Sequence, residues 1–215
     1  MHLSQMRLTA FAAAVILGLP MPARAQRIGI IAGGTFSQLR GLDNVIAKNR
    51  KGTMFGATLT VPLGGRMAVQ PELLFINKGS ELHLGGAGTR DVRLDYLEIP
   101  LLLRFDRSIT SVLGPHLYLG PSIGYNVGCN VTASGNGIPN TSSNCTRDNF
   151  DPKSFDWGAV VGAGVDLNLG GLGVTAGARY GIGIADISKD DRSALEQRVR
   201  NGTLTVYAGL LFGRR

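Results

Sequence analysis

Six charged side chains, Glu72, Glu98, Arg104, Asp156, Asp166 and Arg179, stand at alternating positions within otherwise apolar or glycine-rich stretches. Four carboxylates and two guanidiniums on one face of a sheet could pair with one another, relay protons or ions, or bind a small ligand. Pairing is the expectation, because an unpaired charge in a low-dielectric interior costs several kcal/mol. A relay along the same groups is the second reading, and ligand binding the third. Catalysis by a nucleophile would need a base beside it. The three histidines do not supply one: His2 is in the leading segment, His83 falls in an expected outer loop, and His116 lies near an expected periplasmic turn. None has a serine and a carboxylate arranged around it in the sequence, so the chain is read as non-enzymatic. The same scarcity of ligands argues against a structural zinc site. Gly162-Ala163-Gly164 is followed by alternating residues rather than by a helix, which excludes a dinucleotide loop, and no cofactor is expected. Cys129 and Cys145 sit in a segment rich in Asn, Ser, Thr and Gly. In an exported chain they are expected to form a disulfide, worth ~3 kcal/mol by loop closure.

The elements that carry these residues are strands. The segment LDYLEIPLLLRF, residues 94–105, places Leu97, Ile99, Leu101, Leu103 and Phe105 on one face and Leu94, Tyr96, Glu98, Pro100, Leu102 and Arg104 on the other. Period-2 alternation recurs in eight stretches, 27–36, 53–61, 66–77, 92–105, 115–127, 155–168, 172–186 and 203–212. Each can cross a bilayer as a tilted strand of about ten residues. The links alternate in length: 37–52, 78–91, 128–154 and 187–202 are long, 62–65 and 170–171 are short, and 106–114 is intermediate. With the amino terminus inside, every long link is extracellular. The prediction is an all-β fold, an eight-stranded antiparallel up-and-down transmembrane β-barrel. Its outer face carries residues such as Phe55, Leu59, Val61, Phe75, Leu119 and Trp157. Glycines including Gly162, Gly164 and Gly177 leave room on the inner face for long side chains.

Arg7, the apolar run 8–19, Pro20, Pro22 and Ala23-Arg24-Ala25 form a secretory signal pattern. Residues 1–25 are expected to be a signal peptide and 26–215 the barrel domain. Losing Arg7 and Arg24 lowers the formal net charge from +7 to +5. The remaining positive charge is scattered, with only Lys48, Arg50 and Lys51 close together, and no nucleic-acid partner is expected.

The blocks VQPELLFINKG (69–79), DYLEIPLLLRF (95–105), GPHLYLGPSIGY (114–125), WGAVVGAGVDL (157–167) and ARYGIGIADI (178–187) together resemble the small bacterial outer-membrane β-barrel proteins. This porin-like or PorT-like family is related in architecture to the OmpX and OmpA barrels. The resemblance implies residence in the bacterial outer membrane among its lipids, insertion by the barrel assembly machinery, and an unknown surface partner. One departure is the ending: Phe212 is followed by Gly213-Arg214-Arg215, where members commonly finish on an aromatic residue. The function expected is structural or surface-interacting, with a charged network filling the lumen. The alternatives are a narrow porin-like diffusion channel and a soluble periplasmic lipocalin-like barrel.

Overall fold

A computed structural model describes residues 26–40, 46–83, 89–135, 138–145, 154–184 and 200–213. The expected signal peptide, residues 1–25, lies outside them. Among the described residues nine strands follow in order: β1 (Arg27–Arg40), β2 (Ile46–Gly64), β3 (Met67–His83), β4 (Thr89–Asp106), β5 (Leu113–Gly135), β6 (Ile138–Asn144), β7 (Phe155–Leu169), β8 (Leu172–Gly183) and β9 (Arg200–Phe212). Each pairs antiparallel with its neighbours, and β9 returns to β1. With β6 set aside, the eight remaining strands close into an up-and-down barrel.

One line of paired residues fixes the geometry. It leaves β7 at Val165, passes Ala176, Ala208, Ala32, Phe55, Phe75, Leu97 and Tyr125, and returns to β7 at Phe155, ten residues displaced along the strand. With a rise of about 3.3 Å per residue and strands about 4.8 Å apart, that stagger tilts the strands by about 40° from the barrel axis. Each residue then climbs about 2.5 Å along the axis.

The alternation read from the sequence is kept. Ile28, Ile30, Phe55, Leu73, Ile99, Leu101, Leu119, Val161 and Leu210 are exposed to the outside, a belt that only hydrocarbon would solvate. Val61 departs from the reading, being buried at 6% although in phase with Phe55. Tyr125, Phe155, Trp157 and Phe36 ring the outer end of the belt, and Phe105 and Phe212 stand at the periplasmic end. The Phe55–Phe75 and Tyr125–Phe155 ring pairs each lie 5.2 Å apart. The separation of these girdles is about 25 Å, the height of an outer-membrane apolar band.

The outer links contain more strand than expected. Residues 46–52, 78–83, 89–91 and 128–135 extend the ladders beyond the belt, and β6 folds back on β5 within the link 128–154. The inner face simply continues there: Lys78, Ser80 and Val131 remain buried on the inner side. The Ser/Thr/Asn content of the segment suggested a loop, but Val and Thr also suit a strand whose partner is already in place.

Candidate functional site

All six charged residues singled out in the sequence point into the lumen and are buried. Arg27 and Lys78 join them, so the buried lumen charges among the described residues are four acids and four bases, with half-buried Asp106 beside them, rather than four acids facing two arginines. They sort into three layers.

In the periplasmic layer, Asp166 Oδ2 accepts from Arg104 Nη2 at 2.5 Å and from Arg27 Nη1 at 3.1 Å. Arg104 also donates to Asp106 from Nε (3.0 Å) and Nη2 (2.8 Å). In the middle layer, Arg179 donates to both oxygens of Glu72, at 2.5 and 3.4 Å. Its guanidinium lies 4.7 Å from the Tyr207 ring and 5.6 Å from the Tyr118 ring, and the two phenols share a hydrogen bond of 3.1 Å. Gln70 ties these two layers together, accepting from Arg104 at 3.0 Å and donating to Glu72 at 2.7 Å. In the outer layer, Lys78 Nζ lies 2.6 Å from Glu98 and 3.8 Å from Asp156, with the Tyr96 ring 5.1 Å away.

The tyrosines fit because their ladder partners on the neighbouring strands, Gly162 for Tyr118 and Gly177 for Tyr207, are glycine. A Cβ on Gly162 would stand 2.4 Å from Tyr118 Cζ, and one on Gly177 would stand 2.7 Å from the Tyr207 hydroxyl. The inner face is also more apolar than its charges suggest. Met54, Leu74, Leu94, Tyr96, Leu102 and Val160 pack in one cluster with Tyr118 and Tyr207. Beside the outer layer, Lys78, Glu98, Ser122 and Asp156 line a cavity of about 10 Å³.

His116 is the residue whose surroundings the sequence concealed. It is buried in the lumen, with Nδ1 3.5 Å from Asp166 Oδ1 and its ring stacked 5.8 Å from Tyr118. Asp106, His116 and Asp166 can bring ligand atoms within 4.8 Å of one another. Arg104 and Arg27 already neutralise both carboxylates, so a divalent cation would add unbalanced charge there. His83 closes β3, paired with Thr89 across the ladder.

On the outer side, Cys129 and Cys145 are joined by a disulfide, with Cα atoms 5.5 Å apart. The bond sits one position below the Asn130–Asn144 pair and clamps the base of the β5–β6 hairpin.

Among solved structures, the chain is similar to Neisserial surface protein A, at 14% identity and a TM-score of 0.48 over 87% of this chain and 97% of that one. It is similar to OprG from Pseudomonas aeruginosa at 15% and 0.47, over 89% and 98%. The outer membrane enzyme PagL is similar at 12% and 0.40, over 87% and 99%. No curated protein matches the chain. Residues 20–189 match the family described as outer membrane protein beta-barrel domain, and the chain, a closed barrel with an apolar belt outside and paired charges within, belongs to that family.

Proposed function

We propose that this outer-membrane barrel is non-conducting and non-enzymatic, a structural protein that meets its surroundings through the extracellular sheet. The observation that carries this reading is the middle layer. Arg179 and Glu72 span the lumen with Tyr118 and Tyr207 stacked on the guanidinium, and eight strands enclose little more than their own side chains. The six expected lumen residues, with Arg27 and Lys78, act as a plug whose charges cancel. Residues 1–25 direct export, the barrel assembly machinery inserts the chain, and the disulfide-clamped β5–β6 hairpin is the surface offered to a partner.

Conductance in planar bilayers tests the plug. The native barrel should show no unit steps, and Glu72→Gly with Arg179→Gly should open them. Steady native conductance whose ion preference changes in Arg179→Gln would replace the plug with a narrow diffusion channel.

A further inference from the structure

Among the described residues, the hydrocarbon-facing wall carries an open apolar groove. Where β9, β1 and β2 run side by side, Ala208, Ala32 and Ala57 floor a groove of about 650 Å³, with Phe55 and Phe75 on one flank and Leu210 on the other. Its lining residues are all apolar or glycine, and its volume falls in the range of ligand-sized pockets. Water has no polar partner in such a place, and an empty groove would forfeit dispersion contacts along its whole length.

The outer end of the groove is chemically marked. One step above Phe55, Phe75 and Leu97, the outward positions become Thr53, Asn77 and Asp95. Thr53 donates to Asn77 at 2.6 Å and Asn77 donates to Asp95 at 2.5 Å. That polar row is where hydrocarbon gives way to headgroups. Nearby, Arg50 is paired with Asp91 and Arg93 with Asp95. Exposed Lys51, on the same outward face as Phe55 and paired across the ladder with Phe36, has no acidic partner among the described residues. Four residues along β2 place it about 10 Å above Phe55 along the barrel axis. A lipid whose chain lies in the groove therefore brings its headgroup to an unneutralised ammonium.

We propose that this groove is a single-lipid site: it takes one acyl chain of an outer-leaflet lipid, and Lys51 binds the phosphate of that lipid's headgroup. The charge at the groove's mouth favours an anionic lipid over a second copy of the barrel, which would bring another Lys51-bearing rim instead of an anion.

Native mass spectrometry tests this on the folded barrel in micelles containing equal amounts of dimyristoyl phosphatidylglycerol and dimyristoyl phosphatidylcholine. One phosphatidylglycerol should be retained, at least fivefold more often than phosphatidylcholine. Ala57→Trp should cut retention about tenfold, while Ala163→Trp, at an outward alanine outside the groove, should not. Lys51→Gln should equalise the two lipids. The slower or faster gel mobility of unboiled protein certifies that each variant is folded, and Lys51→Gln, on an exposed side chain, tests the site even if the tryptophan variant does not fold. Unchanged retention in Ala57→Trp, a lipid preference indifferent to Lys51→Gln, or a lipid-free dimer in place of the lipid adduct would each overturn the proposal.

Discussion

At the scale of single residues, the lumen separates two kinds of information. That Glu72 and Arg179 point inward is written locally, because each alternates with apolar neighbours on its own strand. That they face each other is not, since 107 residues separate them and only the ten-residue stagger brings them level. Arg27 and Lys78 were legible in principle, being in phase with Ile31 and Ile76 on the inner face. Lys78 was hidden because Asn77-Lys78-Gly79 resembles the start of a loop, and β3 runs straight through it. The Arg179–Glu72 pair yields a specific expectation. Removing only the cation strands a buried carboxylate, so Arg179→Leu should cost about 3–5 kcal/mol in urea unfolding from lipid vesicles. Adding Glu72→Gln should recover a large part of that loss, and equal midpoints for the single and double variants would contradict the pairing. Gly162→Ala makes an independent test, because its methyl group meets the Tyr118 ring. A loss of about 1–3 kcal/mol is expected, reversed by Tyr118→Phe only if the hydroxyl rather than the ring is what must move.

At the scale of elements, strand number and order were legible because apolar alternation has the same period as the backbone pleat. Strand ends were not, because beyond the bilayer nothing requires the outward face to be apolar, and the pattern fades while the ladder continues. The β5–β6 hairpin is the clearest case: Asn, Ser and Thr mask the seven-residue strand β6, five of whose residues pair with β5. Its disulfide links β5, where Cys129 pairs with Leu94, to the end of β6, whereas the wall closes directly between β5 and β7. Replacing Cys129 and Cys145 together by serine should leave the heat-dependent gel shift intact while exposing 129–145 to trypsin or proteinase K at the surface of intact cells. Loss of the gel shift itself would mean that the hairpin helps to hold the barrel closed.

At the scale of the whole molecule, the outward belt and the lumen answer different solvents, and a depth series distinguishes them. Leu101 is exposed near the middle of the belt, about midway between the outer girdle at Tyr125 and Trp157 and the inner girdle at Phe105 and Phe212. Leu169, similarly exposed, sits at the periplasmic turn beyond that inner girdle. In water the two positions would tolerate lysine alike. In a bilayer, Leu101→Lys should lower the folding free energy by about 2–4 kcal/mol and Leu169→Lys by about 0–1 kcal/mol, measured by reversible refolding into vesicles. The ordering follows from depth alone, because neither side chain packs in the lumen and neither touches an ion pair there. Equal penalties would mean that the exposed leucines are solvated by something other than hydrocarbon, and a soluble barrel with an apolar exterior cannot persist as a monomer. The gradient of cost along the axis is thus a property of how the barrel sits in its membrane, carried by residues that make no specific contact at all.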